Sequence, residues 1–124
     1  MTRTITRDEL RQAIDDGAVA VVETLRAEHF AQGHLPDAIH IHFEAVAEQA
    51  PELLPDKDAA IVTYCSNAAC PNFEVAANRL TAMGYTDVRK YADGKQNWQD
   101  AGLALPPGAW AKPVPLREGE GQES

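Results

Sequence analysis

Two apolar stretches constrain the fold of this 124-residue chain more than any other feature: residues 18–22 and residues 59–64. The first is continuous, which indicates a strand that is covered on both faces. The second is the most strand-like segment of the chain and runs directly into Cys65. One helical pattern precedes the first stretch and another follows the second: Thr6 and Glu9 form a capping-box pair at the start of the former, and Pro71 suits the first position of the latter. This alternation predicts an α/β fold with a mainly parallel sheet flanked by helices on both faces.

Weaker patterns complete the predicted domain. Residues 27–31 suggest a short helix, residues 39–43 alternate as a strand does, and residues 44–54 look helical with an interruption at Pro51. A strand at residues 88–91 and a last helix that carries Trp98 follow. We therefore predict one domain over residues 1–106, and a Pro-, Gly- and Glu-rich tail over residues 107–124 that is largely disordered.

The charge of the chain argues against several kinds of partner. It has 19 acidic and 11 basic side chains, a net charge of −8, and no basic face that would predict nucleic-acid binding. No apolar run approaches the roughly 20 residues that a membrane helix needs, so we expect no membrane partner. Because the first residues show no apolar signal segment, we expect a cytoplasmic protein. We also expect no cofactor and no metal; His40 and His42 would share a strand face, but without the pattern of a zinc site.

Cys65 stands where chemistry is expected. Ligands of parallel α/β folds bind at the carboxyl ends of strands, and a cysteine between a strand and a helix faces unpaired N–H groups that favour the thiolate. The small residues after it can turn their N–H groups inward around an anion. The predicted substrate-binding residues are Ser66, Asn67, Ala68, Ala69 and Cys70. An inert, buried cysteine is the alternative that this local pattern leaves open.

The chain resembles the single-domain rhodanese-like (thiosulfate sulfurtransferase) family over roughly residues 4–106. Four segments carry the resemblance in consistent order: residues 22–38 with the turn Gly33-His34-Leu35-Pro36-Asp37-Ala38, residues 61–65 ending at Cys65, residues 76–85, and residues 93–103. The family has an acidic residue ten positions before the turn, and Glu23 matches it. We expect Glu23 to fix nearby backbone, His34 to stabilise the turn and Trp98 to lie in the core.

The resemblance implies an enzyme in which Cys65 is the catalytic nucleophile. It would take sulfane sulfur from thiosulfate or a persulfide donor, hold it as a persulfide, and pass it to a thiol, a protein sulfur acceptor or another nucleophile. This sequence departs from the family, however: the loop after Cys65 is about two residues longer and contains no Arg or Lys. Weak thiosulfate binding is therefore expected. Cysteine phosphatases need an arginine six positions after the nucleophile, where this chain has Pro71.

Cys70 leaves two interpretations open. It could be a resolving thiol that attacks an oxidised or persulfidated Cys65, or a small residue packed at the helix start. A disulfide would need Cα atoms within about 7 Å, and a stable structural disulfide is not expected in the cytoplasm. Beside the sulfurtransferase, we therefore keep two alternatives: a thiol redox switch or reductase that uses Cys65 and Cys70, and a non-catalytic sulfur-carrier or binding module. Arsenate reduction, another reaction of a thiol with an oxyanion, is a less favoured alternative that rests on the second thiol.

Overall fold

A computed structural model describes residues 3–66 and 70–105. The five strands form one sheet in the order β1-β5-β4-β2-β3, and each paired neighbour runs parallel. The strands are β1 (Arg3–Thr4), β2 (Ala20–Glu23), β3 (Ile39–His40), β4 (Ala60–Tyr64) and β5 (Asp87–Tyr91). The helices are α1 (Arg7–Asp15), α2 (Ala27–Gln32), α3 (Val46–Leu53), α4 (Asn72–Ala82) and α5 (Gly94–Asp100). The predicted tail, residues 107–124, lies outside the described residues.

Two apolar cores, one on each face, hold helices against the sheet. Neighbouring residues of the central strands point to opposite faces, so Ile61 belongs to one core and Val62 to the other. Helices α3 and α4 cover the first face, and α1, α2 and α5 cover the second. Burial on both sides explains why the sequence of these strands shows little polar alternation. The prediction of a parallel α/β sheet with helices on both faces is confirmed.

Local signals in the sequence account for the helix ends. The Thr6 side chain accepts a hydrogen bond from the Glu9 N–H, and the Glu9 carboxylate accepts one from the Thr6 N–H, at 3.2 and 3.0 Å. This confirms the predicted capping box. Pro71 is the N-cap of α4, which begins at Asn72. Pro51 lies inside α3, and the helix continues for two further residues, to Leu53.

The sheet differs from the sequence-based prediction at its two edges. The predicted strand at residues 39–43 ends at His40, because the next residues turn into a 3-10 helix at Phe43–Ala45 that His42 caps. His40 and His42 therefore do not share a strand face. At the other edge, Arg3–Thr4 pairs with β5, which no apolar pattern had indicated. Both of these β1 residues are exposed, so burial left no signal in the sequence.

Asp37, in the turn at residues 33–38, has a left-handed backbone conformation. Its φ angle is +61°, and it is the only residue other than glycine with a positive φ among the described residues. Glycine adopts this region without steric cost, whereas Asp tolerates it better than most other residues. This explains physically why the turn motif of the resembled family carries glycine at that position.

Candidate functional site

Cys65 lies directly after β4, the central strand of the sheet, and is fully buried. Its backbone is held by the first turn of α5. The Lys95 N–H donates to the Cys65 carbonyl at 2.9 Å, and the Gln96 N–H donates to the Ser66 carbonyl at 2.8 Å. These N–H groups of α5 therefore bind protein carbonyls. They fix the direction in which the chain leaves β4, and with it the position of the Cys65 side chain.

Cys70 lies within bonding reach of Cys65. The two sulfur atoms are joined as a disulfide, and 6.2 Å separates the Cα atoms, inside the range of about 4.4–6.8 Å that disulfides require. The chain has no other cysteine. Cys65 is fully buried, whereas Cys70 is half-buried. The structure thus answers the distance question that the sequence left open, and it differs from the expectation that the two cysteines are not stably paired.

Among the predicted substrate-binding residues, the structure describes only the two ends of the loop. Ser66 is half-buried, and Cys70 stands directly before Pro71, the N-cap residue of α4. Asn67, Ala68 and Ala69 lie outside the described residues. The prediction that their N–H groups surround an anion stays a prediction.

A buried ion pair between Glu23 and Lys95 lies next to Tyr64, the residue that precedes Cys65. Glu23, at the end of β2, is fully buried. Its carboxylate accepts a hydrogen bond from the Tyr64 hydroxyl at 2.6 Å and one from the Lys95 ammonium at 3.0 Å. Lys95 also donates to the His29 carbonyl at 3.0 Å. A buried carboxylate is costly unless it is paired and hydrogen-bonded, and these two donors meet that need.

Tyr64 connects the ion pair to the turn after α2. Its hydroxyl accepts a hydrogen bond from the Leu35 N–H at 3.1 Å while it donates to Glu23. Burial, followed by the negative charge of Glu23 and the hydrogen bond to it, raises the pKa of Tyr64 well above its usual value. The phenol therefore keeps its proton and remains a donor. Glu23 fixes backbone through this hydroxyl, in agreement with the role expected of it.

The site contains two residues that sequence reasoning did not name, Tyr64 and Lys95. A usable signal existed, because an acidic residue at the end of a buried strand needs a cation or several donors. Lys95 lies 72 residues after Glu23, so spacing along the chain could not pair them. The Lys95 ammonium is engaged by Glu23 and the His29 carbonyl, so it does not act as a free positive charge beside Cys65.

The three histidines singled out in the sequence all have structural contacts. His34 Nδ1 lies 2.9 Å from the Leu35 carbonyl, and its ring stacks on Phe30. His40 Nε2 contacts the Leu25 carbonyl, and His42 Nδ1 accepts from the Glu44 N–H. The described part of the chain holds no group of three His, Cys, Asp or Glu side chains that could bind a metal ion.

The sequence of residues 6–101 matches the family described as Rhodanese-like domain. The chain belongs to this family. This rhodanese-like chain is 35% identical over 105 residues to an HTH-type transcriptional regulator of Mycobacterium tuberculosis, over 85% of this chain and 45% of the regulator. It is 26% identical over 91 residues to thiosulfate sulfurtransferase GlpE of Pseudomonas savastanoi pv. phaseolicola, over 73% of this chain and 82% of that enzyme. The chain therefore spans less than half of the first relative and most of the second.

A solved structure agrees with both the family and the fold. The crystal structure of a thiosulfate sulfurtransferase from Pseudomonas aeruginosa is similar with a TM-score of 0.77 and 25% sequence identity, over 86% of this chain and 20% of that one. The resemblance inferred from the motifs is thus confirmed at the level of the rhodanese-like family. Among residues 3–66 and 70–105, the helices are too short and too polar to span a bilayer.

Proposed function

We propose that this rhodanese-like chain transfers sulfane sulfur from thiosulfate or a persulfide donor to a thiol or another nucleophile, through a persulfide on Cys65. The observation that carries the proposal is the position of Cys65. It follows the central strand β4, and two backbone hydrogen bonds from α5 fix the segment that leaves the strand. Family membership supplies the reaction class, and the chain has only one other cysteine.

The proposed reaction has two steps. The Cys65 thiolate attacks the outer sulfur of the donor, the sulfur–sulfur bond of the donor breaks, and sulfite or a thiolate leaves with the bonding electrons. The acceptor thiolate then attacks the outer sulfur of the Cys65 persulfide, and Cys65 leaves as a thiolate. No net oxidation accompanies this cycle. Because Cys65 is joined to Cys70 in the structure, the disulfide has to be reduced before the first step.

Charge favours a persulfide donor over thiosulfate. Thiosulfate is a dianion, the net charge of the chain is −8, and residues 66–72 contain no basic side chain. Lys95 donates its backbone N–H to the Cys65 carbonyl, but its ammonium is paired with Glu23 at 3.0 Å. In this proposal Ser66, Asn67, Ala68, Ala69 and Cys70 surround the donor, and backbone N–H groups supply most of its hydrogen bonds. A donor with a lower charge then binds with less electrostatic cost.

We place this activity in the cytoplasm as part of the same proposal. The cycle needs a reduced Cys65, and cytosolic dithiol systems keep protein thiols reduced. The acceptor is a small thiol or a cysteine of another protein, since either can attack a persulfide.

The experiment is to reduce the chain, remove the reductant, add thiosulfate or a low-molecular-weight persulfide, and measure the intact mass. Cys70→Ser, which lacks the second thiol, should gain one sulfur atom, and Cys65→Ser should gain none. Transfer to an added thiol is then followed over many turnovers, which distinguishes an enzyme from a carrier that reacts once. Sulfur transfer by Cys65→Ser at the native rate would contradict the proposed mechanism.

The 6.2 Å Cα separation favours one second candidate function, a thiol redox switch between Cys65 and Cys70. A switch predicts reversible disulfide formation with an oxidant and little sulfur transfer over many turnovers. The same mass measurement, after treatment with peroxide and then with a dithiol, distinguishes the two functions. If Cys70→Ser gains no sulfur from either donor, while the native chain cycles between disulfide and dithiol, the switch is favoured.

A further inference from the structure

Cys70 is a nucleophile that single-cysteine sulfur transfer leaves unused. It precedes α4, and its sulfur atom reaches that of Cys65. The contact does not depend on the intervening loop alone, because β4 and α4 are joined beside it. The Thr63 hydroxyl, fully buried two residues before Cys65, donates to the Phe73 carbonyl at 2.9 Å. This hydrogen bond anchors the start of α4 to the end of β4 and so limits the distance between the two cysteines.

We propose that Cys70 is an internal acceptor that attacks the Cys65 persulfide and releases sulfide, so that the chain is a dithiol-dependent reductase of sulfane sulfur. This inference rests on the proposed formation of a persulfide on Cys65. Single-cysteine transfer requires a separate acceptor molecule to meet the Cys65 persulfide in a second encounter. Cys70 is already held within bonding reach, and an attack within one molecule avoids the entropic cost of bringing two molecules together.

The chemistry balances without an added oxidant. The Cys70 thiolate attacks the Sγ atom of Cys65, the bond between that atom and the outer sulfur breaks, and the outer sulfur leaves as hydrosulfide. The products are the Cys65–Cys70 disulfide and one sulfide, so the persulfide is the oxidant of the two cysteines. Two equivalents of an external thiol, or one dithiol, then reduce the disulfide. Over one cycle the donor loses one sulfur as sulfide, and the external thiols become a disulfide.

Burial predicts which sulfur the external thiol attacks. Cys70 is half-buried and Cys65 is fully buried in the disulfide state. A thiolate approaches the more accessible sulfur, so it forms a mixed disulfide with Cys70 and expels Cys65 as a thiolate. Reduction thereby restores the nucleophile in the form that the next cycle needs. The two cysteines have different parts: Cys65 meets the sulfur donor, and Cys70 meets the reductant.

Single-turnover measurements on the full chain test the proposal. Reduced native chain, Cys70→Ser and Cys65→Ser are freed of reductant and mixed with one equivalent of glutathione persulfide, and released sulfide and intact mass are followed together. The native chain should release one sulfide and end as the disulfide. Cys70→Ser should retain the added sulfur and release about tenfold less sulfide, because it lacks the internal acceptor. Cys65→Ser should do neither.

The outcomes separate this inference from the function on which it rests. If the native chain keeps its persulfide and releases no more sulfide than Cys70→Ser, the internal-acceptor role is wrong and the sulfurtransferase proposal stands. If neither the native chain nor Cys70→Ser gains sulfur, the sulfurtransferase proposal itself fails. Cys70→Ala provides a second variant, and thermal unfolding of each variant establishes that it is folded.

The reduction step has its own test. The disulfide form is treated with a limiting amount of glutathione, quenched with acid, digested, and examined by mass spectrometry for the mixed disulfide. We expect glutathione on Cys70, with Cys65 free to be alkylated. Glutathione mainly on Cys65 would overturn the assignment of Cys70 as the residue that meets the reductant.

Discussion

The ion pair between Glu23 and Lys95 makes Lys95→Met an informative variant. Methionine keeps much of the length of the lysine chain but removes its charge, and Glu23 then stays fully buried with Tyr64 as its remaining donor from this network. Removing one partner of a buried ion pair costs about 3–5 kcal/mol, because the other charge is left uncompensated. The lost bond to the exposed His29 carbonyl adds little, since water replaces Lys95 there. We expect a loss of about 3–4 kcal/mol in the free energy of unfolding.

Urea denaturation, followed by tryptophan fluorescence under reducing conditions, measures this loss. Trp98 is 3% exposed and reports on the core that α5 covers. The double variant Glu23→Gln/Lys95→Met removes both charges, and it should be at least about 1 kcal/mol more stable than the sum of the single losses predicts, because contacting residues are coupled. A loss below about 1 kcal/mol for Lys95→Met, or additive losses in the double variant, would refute the argument that this pair stabilises the fold.

Three further predictions concern the turn, the loop and the start of α4. Because the φ angle of Asp37 is +61°, Asp37→Gly should be about 1 kcal/mol more stable in urea than Asp37→Ala; equal stabilities would contradict this. Ala69→Arg should lower the KM for thiosulfate by about tenfold or more, since a charge-assisted hydrogen bond contributes about 1.5–3 kcal/mol. An unchanged KM in a folded variant would argue against the charge account. Thr63→Val loses the hydrogen bond to the Phe73 carbonyl. It should slow sulfide release about fivefold, because a lost hydrogen bond of about 1 kcal/mol corresponds to that factor, and it should not slow persulfide formation. Equal slowing of both steps would indicate a general structural effect.

The fold could be predicted because its strongest signals are local. The apolar run before Cys65 and the Thr6–Glu9 capping pair each depend on a few adjacent residues, and the structure contains both features. The two edge strands could not be predicted well. Arg3–Thr4 is exposed and gains its strand geometry only from pairing with β5, whereas His42 turns the chain away from β3 by capping the 3-10 helix.

The position of Cys65 in the candidate site could be predicted, but the residues that hold this site in place could not. The end of an apolar strand identifies Cys65 from neighbouring residues. The contact between Glu23 and Lys95 joins residues 72 positions apart, and it exists only after β2 and α5 have both packed in place. The distance between Cys65 and Cys70 depends in the same way on how β4 and α4 are joined, which five residues of sequence do not determine.

The shortness of the outer strands has a consequence for self-association. A sheet can grow by adding a strand from another molecule wherever an edge leaves a row of backbone groups unpaired. Within residues 3–66 and 70–105, β1 and β3 form the two edges, and each is two residues long. Arg3 adds a charged side chain at one edge, which further opposes strand addition. The longer, apolar strands β2 and β4 could recruit another chain, but they lie inside the sheet, and each is already paired with a strand on both sides.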